Sequence, residues 1–431
     1  MKKALWPLLA LLLGGCAFLR GPTPALSPPS PSPPAATTPT AMPPPAEDGY
    51  LTLTLWVSDA ILAPDATEED SPLLAQVAAF NERHDRMEVN LLVKRNDGEG
   101  GLLDLLETAS KAAPSVLPDL VLMDEATMRE AASESLLHPL SSGEVPASTY
   151  PTAIQAGRVG TETYGLPYLV GVEGLALRAG RGLTLTEGRL TWGEVLSESV
   201  TFLFPAAPAD GLADDFLLRL YLSTGGRLQD EDGNPALDRA ALEETYRFLF
   251  TALGQGLISP EVLAEMDDAR TCWDHFREDG RWQLTALPAA DYWLSTPREV
   301  RPVAALVPMT QTDVPQIGHY WLWTLVTDDP ARRQASVELL AWLLYPPNLS
   351  ESSQAVGLFP TTGEALALWP LPPDEFTFVS RMVVAASPPA PQPIEGNVRK
   401  ALQSGLALLL EDPLNITPDE AAEQALLTLR K

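Results

Sequence analysis

Two pairs of polar side chains stand where apolar runs stop. Ser58 and Asp59 follow the run Leu51 to Val57 (LTLTLWV), and Asp124 and Glu125 follow Asp119 to Met123 (DLVLM). In sheets whose strands alternate with helices, the loops after the strands meet helix N-termini, and clefts form there. A third pair, Tyr292 and Trp293, follows the turn Leu-Pro-Ala-Ala. Together these types suit reversible recognition of a polar molecule: carboxylates accept paired hydrogen bonds from hydroxyls, and flat rings cover C–H faces. Catalysis of glycoside hydrolysis would need two carboxylates facing each other across about 5–10 Å, which adjacent residues such as Asp124 and Glu125 cannot do. Asp124 also suits a second role, as the cap of a helix that starts behind it.

Other chemistry is poorly supplied. The sequence has no Gly-x-Ser-x-Gly elbow, no phosphate loop ending in Gly-Lys-Ser/Thr and no His-Glu-x-x-His helix. Its four histidines, His84, His138, His275 and His319, are scattered without ligand spacing, so each is read as a surface or core residue, and neither metal nor cofactor is expected. Gly98, Gly100 and Gly101 precede a helix and could cradle an anion, but Asp97, Glu99 and Asp104 flank them, and the segment reads as a loop and helix start. Cys272 lies beside Trp273 in an apolar setting and reads as buried packing. The formal net charge of −28 repels phosphate backbones, which disfavours nucleic acid and adhesion to anionic lipid through a basic patch.

These residues need elements to position them. LTLTLWV reads as a strand, followed by helical spacing from Ser71 to Asn81, a second strand over Glu88 to Lys94, a second helix over Gly101 to Lys111 and a third strand over Asp119 to Met123. Alternation of this kind predicts an α/β architecture with a parallel sheet and helices on its faces. Further helices are expected over Asp214 to Ser223, Arg239 to Ala252, Ala331 to Leu344 and Pro418 to Arg430. Thr191 with Glu194 and Thr417 with Glu420 have the spacing of capping boxes. Trp56 and Trp323 have alternating neighbours that turn them inward, toward the core.

The N-terminus predicts export. Lys2 and Lys3 precede an apolar run from Ala4 to Leu13, too short for the roughly 20 residues of a membrane-spanning helix, and small residues and Cys16 follow. Leu13-Gly14-Gly15-Cys16 resembles a bacterial lipobox, which makes residues 1–15 a lipoprotein signal peptide and Cys16 the lipidated anchor. With Cys16 so used, no intrachain disulfide is available to Cys272. From Gly21 to about Glu47 the chain is nearly all Pro, Ser, Thr and Ala. Residues 16–47 therefore read as a tether, extended at about 3.1 Å per residue. The remainder, residues 48–431, is long enough for two lobes.

The order of segments resembles the family 1 extracellular solute-binding proteins. It runs LTLTLWVSD, LLAQVAAFNER, GGLLDLLETASKAAPSVLPDLVLMDEATM, ESLLHPL, TYGLPYLVGVEGLALRA and TWGEVL in the first half. FLLRLYLSTGGRLQDEDGNPALDRAALEETYRFLF, GLISPEVL, RWQLTALPAADYW, YWLWTLVTDDPARRQASVELLAWLL and GLFPTTGEAL follow. The resemblance spans nearly all of residues 50–431. It implies the two-lobed periplasmic-binding-protein fold of type II, with a ligand cleft between lobes and no enzymatic activity. Lobe one would comprise residues 48–171 with 307–357, and lobe two residues 172–306 with 358–431. Hinge candidates fall near Gly171 to Glu173, Val303 to Pro308 and Leu358 to Thr362.

By the same resemblance Ser58, Asp59, Asp124, Glu125, Tyr320 and Trp321 face the cleft from lobe one, Tyr292 and Trp293 from lobe two, and Tyr168 and Glu173 from the crossover. The implied protein is a monomer, lipid-anchored on the outer face of the bacterial cytoplasmic membrane, that delivers a solute, a carbohydrate first of all, to the permease subunits of an ABC importer. Two departures widen the ligand class. The maltose-binding relatives carry a ring at the end of the strand that here finishes in Met123, and another where this chain has Pro-Ile-Glu-Gly-Asn at residues 393–397. Polyamines, phosphorylated glycerol, metal ions and other small polar solutes are therefore alternatives, as are a ligand sensor without import and, last in rank, a glycosidase.

Overall fold

LTLTLWVS forms strand β1 (Leu51–Ser58), whose last four residues are all buried. Such continuous burial marks a strand covered on both faces. In the computed structural model, residues 50–141, 143–178, 190–294, 316–392 and 394–431 are described. The signal peptide, Cys16, the tether and the Val303 to Pro308 hinge candidate lie outside them.

The strands that follow are β2 (Met87–Lys94), β3 (Leu120–Asp124), β4 (Arg158–Val159), β5 (Glu162–Thr163), β6 (Gly165–Leu177), β7 (Phe202–Leu203), β8 (Leu284–Pro288), β9 (Gln316–Leu325), β10 (Phe359–Pro360) and β11 (Ala386–Ser387). The main sheet runs β2-β1-β3-β9-β6-β8-β7, with β10 added on β6 and β11 on β9. β4 and β5 form a separate ribbon. Helices Pro72–Arg83, Leu102–Ala112 and Glu125–Ser133 alternate with β1, β2 and β3, as the sequence periodicity predicts.

The expected parallel pairing holds for β2, β1 and β3. It does not hold beyond them, because β9 runs antiparallel to both β3 and β6. A parallel pair requires a helical crossover between its strands. β9 joins the sheet only after the chain has passed through the second half of the molecule, so no such crossover constrains its direction.

β6 joins the two halves. Its residues Gly165 to Val172 pair with β9, and Glu173 to Leu177 pair with β8, which in turn pairs in parallel with β7. One thirteen-residue strand, buried along nearly its whole length, thus belongs to both. Leu53, Leu55, Val57, Phe80, Leu122 and Trp323 pack in the first half, and Phe202, Phe204, Phe216 and Phe248 stack in the second, with Phe204 and Phe216 centroids 4.5 Å apart. Trp56 and Trp323 are buried, as their neighbours implied. Cys272 is a free, buried thiol.

Helix starts follow their caps. Ser71, Asp124, Asp214 and Asp238 each accept a backbone N–H of the helix behind them, and both threonine capping boxes are formed. Among the described residues no helix is long and apolar enough to cross a membrane.

Candidate functional site

The order β2-β1-β3 gathers the loops after three parallel strands at one edge. Ser58 closes β1 opposite Lys94 of β2, so Asn96, two residues further on, comes to lie beside Ser58 and Asp59. Ser58 Oγ donates to Asn96 Oδ1 at 2.7 Å, and the Asn96 backbone N–H donates to Asp59 Oδ1 at 2.9 Å. Asn96 Nδ2 donates to Asp97 Oδ2 at 2.9 Å and to Asp124 Oδ2 at 3.2 Å. Asn96 thereby ties three of the sequence-predicted residues, Ser58, Asp59 and Asp124, into one cluster. The sequence reading missed it, although its position just past the strand flanking β1 was a usable signal.

Asp124 also caps the Glu125–Ser133 helix, accepting from the Thr127 N–H and hydroxyl, both at 2.9 Å. The capping role expected of it is present, and its Oδ2 also accepts from Asn96. A depression of about 300 Å³ opens beside this cluster, lined by Asn96, Asp97, Gly101, Asp104, Thr127 and Glu130 among others. The glycine loop that helps line it is tightly built. A Cβ on Gly101 would meet the Asp97 carbonyl carbon at 2.8 Å and the Gly98 oxygen at 2.9 Å, and Gly98 has a φ of +77°.

Glu125 turns the other way, into the interior. β3 ends opposite Trp321 of β9, so the Tyr320 N–H finds no further β3 partner on that side of β9. Glu125 Oε2 accepts it at 2.9 Å. Burial pushes the Glu125 carboxyl up to about 8 against the opposing pull of His319, the Tyr320 N–H and Arg129. Tyr320 is buried, its hydroxyl donating to the Ala386 carbonyl at 2.7 Å, while Trp321 is half-buried beside the first-half core.

A second cluster forms where β6 changes partners. His319, opposite Gly171 of β6, places Nε2 2.9 Å from Asp215 Oδ2, at the first residue of the Asp215–Ser223 helix. Arg399, on the Ile394–Glu411 helix, donates to Asp215 Oδ1 at 2.6 Å, to Glu395 Oε1 at 2.8 Å and to the Ala213 carbonyl at 2.7 Å. Burial alone would raise Asp215, but the His319 and Arg399 charges override it and hold the carboxyl far below the usual range. The Asp215 charge in turn raises His319 to about 9, overcoming the desolvation of its half-exposed ring.

Glu173 adjoins this cluster at the first β6 residue that pairs with β8. Its carbonyl accepts from Gln316 Nε2 at 2.6 Å and from Arg219 Nη1 at 3.3 Å. Its carboxyl is buried and pushed well above the ordinary value by desolvation and then by Asp214 and Asp215.

The remaining predicted residues lie in packing. Tyr168 is 1% exposed in the first-half core, its ring edge-on to Trp323 at 5.8 Å. Tyr292 and Trp293 are buried too, Trp293 between Tyr292 and the rings of Phe359 and Phe378. Asp215, Arg219, His319, Glu395 and Arg399 were not singled out as site residues, and His319 was set aside with the other histidines. Their shared signal was weak, since acidic residues and arginines are spread through the whole chain. Among the described residues no group of three or more His, Cys, Asp or Glu side chains could hold a metal ion.

A two-half α/β sheet joined by one long shared strand matches known structures over most of its length. Extracellular solute-binding protein family 1 from Alicyclobacillus acidocaldarius superposes with a TM-score of 0.65 at 16% identity, covering 89% of this chain and 98% of that one. The chain has the two-lobed periplasmic-binding-protein fold. Maltose-bound T. maritima MalE3 superposes with a TM-score of 0.65 at 18% identity over 88% of this chain and 99% of that one. The GacH receptor of Streptomyces glaucescens, solved unliganded and with acarbose, gives 0.62 at 17% over 87% and 96%. No protein-family model matches the sequence, and no curated protein matches it.

Gly171 to Glu173 is the point at which β6 leaves one sheet half for the other. The Asn96 cluster lies at the carboxyl ends of first-half strands. The His319–Asp215 contact connects a first-half strand with a second-half helix.

Proposed function

We propose that the chain is the lipid-anchored, extracytoplasmic solute-binding component of an ABC importer, capturing a carbohydrate and delivering it to permease subunits without catalysing a reaction. The observation that carries this reading is the convergence of polar side chains from both halves, Glu125 and His319 from one and Asp215 and Arg399 from the other, at the strand the halves share. A ligand touching both halves stabilises the closed arrangement by population shift, with no chemistry required. Carbohydrate is favoured because MalE3 is described with maltose and the GacH receptor with acarbose. The Asn96 cluster also offers the hydroxyl, amide and carboxylate groups that sugar hydroxyls pair with.

In this reading lobe one is residues 48–171 with 307–357, and lobe two is residues 172–306 with 358–431. Ser58, Asp59, Asp124, Glu173 and Trp321 are the members of the predicted set nearest the ligand, with Asn96 added and Glu125 supporting them from the interior. Residues 1–15 are the signal peptide, Cys16 carries the lipid, and residues 16–47 hold the receptor off the membrane.

A thermal-shift screen against neutral and acidic sugars, polyols, polyamines and amino acids tests the substrate class. A ligand at 100 times its dissociation constant stabilises by about 2.7 kcal/mol, so a sugar hit supports the reading, and hits confined to non-sugar solutes overturn the carbohydrate assignment. Unchanged sugar after long incubation with stoichiometric protein supports the absence of catalysis; turnover contradicts it.

A further inference from the structure

Arg219 and Arg399 are both buried at the change of partner, yet they are served very differently. Arg399 uses all three nitrogens, on Glu395, Ala213 and Asp215. Arg219 is 4% exposed and makes a single hydrogen bond, Nη1 to the Glu173 carbonyl at 3.3 Å, while its Nε and Nη2 have no partner. Those two nitrogens share one edge of the guanidinium plane, the edge that grips a carboxylate through two parallel N–H···O bonds. Glu173 Oε1, 7% exposed as a residue, is likewise without a partner.

Buried donors left unpaired are costly, and an unbalanced buried cation more so. Neither acid acting on Arg219, Glu173 or Asp215, offers its free edge a carboxylate. Asp215, an ionised neighbour, is already held by His319 at 2.9 Å and Arg399 at 2.6 Å. Glu173 is kept in its neutral form by burial and by Asp214 and Asp215, and its carboxyl hydrogen-bonds to Asp214, so it does not act as a full counter-ion. An unpartnered two-pronged donor edge matches the two oxygens of a carboxylate, whose paired charge-assisted bonds a pair of neutral hydroxyls does not reproduce.

We propose that Arg219, through Nε and Nη2 and beside Glu173, is the anchor for a carboxylate on the ligand, so that the solute is an acidic sugar of the uronate class. This rests on the carbohydrate reading and narrows it. Arg219 lies where β6 passes between the halves, so a carboxylate seated there fixes one end of the ligand at that change of partner. Entry requires the halves to part, since the free edge of Arg219 is covered in this arrangement.

The full chain, purified in detergent, is titrated by calorimetry with glucuronate and galacturonate saccharides, with their neutral glucose and galactose counterparts, and with succinate as a carboxylate without a sugar. The expected result is at least tenfold tighter binding of the uronates than of the neutral partners. That preference is lost in Arg219→Met and reduced at least tenfold in Arg219→Lys, whose ammonium is a point charge without the two-pronged edge. Because Arg219 is under-bonded without ligand, Arg219→Met is expected to melt at or above the wild-type temperature; a lower melting temperature makes Arg219 a structural residue and overturns the anchor. Equal binding of neutral and acidic sugars keeps the carbohydrate reading and overturns the carboxylate. Binding of succinate with no sugar does the reverse. Failure of every probe counts against both.

Discussion

His319 Nε2 and Asp215 Oδ2 stand 2.9 Å apart, one on a strand of the first sheet half and the other at the start of a helix in the second. The pair ties the halves together at the strand they share. The Asp215 charge raises His319 from its ordinary 6.5 to about 9. A cationic group whose folded value is raised contributes stability that is complete below about 6.5 and lost as pH rises through 9. Burial raises Glu125 from 4.5 to about 8, and a raised carboxyl likewise loses ground as pH climbs between those values. Both therefore predict a higher unfolding midpoint at pH 6 than at pH 9.5. His319→Gln should flatten the profile between about 6.5 and 9, and Glu125→Gln between 4.5 and 8. Since half of the His319 side chain reaches solvent, its share is the smaller one. A midpoint that climbs from pH 6 to 9.5 contradicts both assignments.

Arg399 should behave as a structural cation. Its removal leaves Asp215 and Glu395 buried with one partner fewer, and breaking a buried pair in this way costs about 3–5 kcal/mol. Chemical denaturation of Arg399→Met should show a loss of that order, in contrast to Arg219→Met. A change within about 0.5 kcal/mol would show that the two acids find other partners.

Gly101→Ala should disturb the loop that carries Asn96. The added methyl meets backbone atoms of Asp97 and Gly98 at 2.8 and 2.9 Å, which cannot move aside as a flexible side chain would. An overpacking cost of about 1–3 kcal/mol is expected, together with weaker ligand binding. Wild-type stability and affinity would mean that the loop relaxes freely.

Membrane attachment makes a separate prediction. Cys16→Ala should leave a form that is either unprocessed or released from the membrane fraction. Retention of a processed variant in the membrane would overturn the lipid anchor.

The fold was legible where local pattern is strong. LTLTLWV, DLVLM and the helical spacings among them give three parallel strands and their helices almost to the residue, and Thr191 and Thr417 mark helix starts by side-chain chemistry alone. The direction of β9 was not legible, because it depends on a return from the other half that no local pattern encodes. The same division runs through the site. Ser58, Asp59 and Asp124 follow from strand ends, and the structure adds Asn96 to them. Tyr168, Tyr292 and Trp293 carry ring chemistry suited to ligand faces, but their burial depends on packing partners such as Trp323, Phe359 and Phe378, distant in sequence. The charged cluster around Asp215 draws on β6, β9 and two helices, and Asp215 is 184 residues from Arg399; only the tertiary fold brings these groups together.

The most direct measurement is calorimetric titration of the purified protein with the best sugar from the screen, beside Asn96→Ala and Asp124→Ala variants. Saturable one-to-one binding that weakens at least tenfold in each variant, while far-ultraviolet circular dichroism shows both folded, is the predicted result. Absence of binding by any sugar, or affinity unchanged in both variants, would contradict the account of these strand ends as a carbohydrate-binding site.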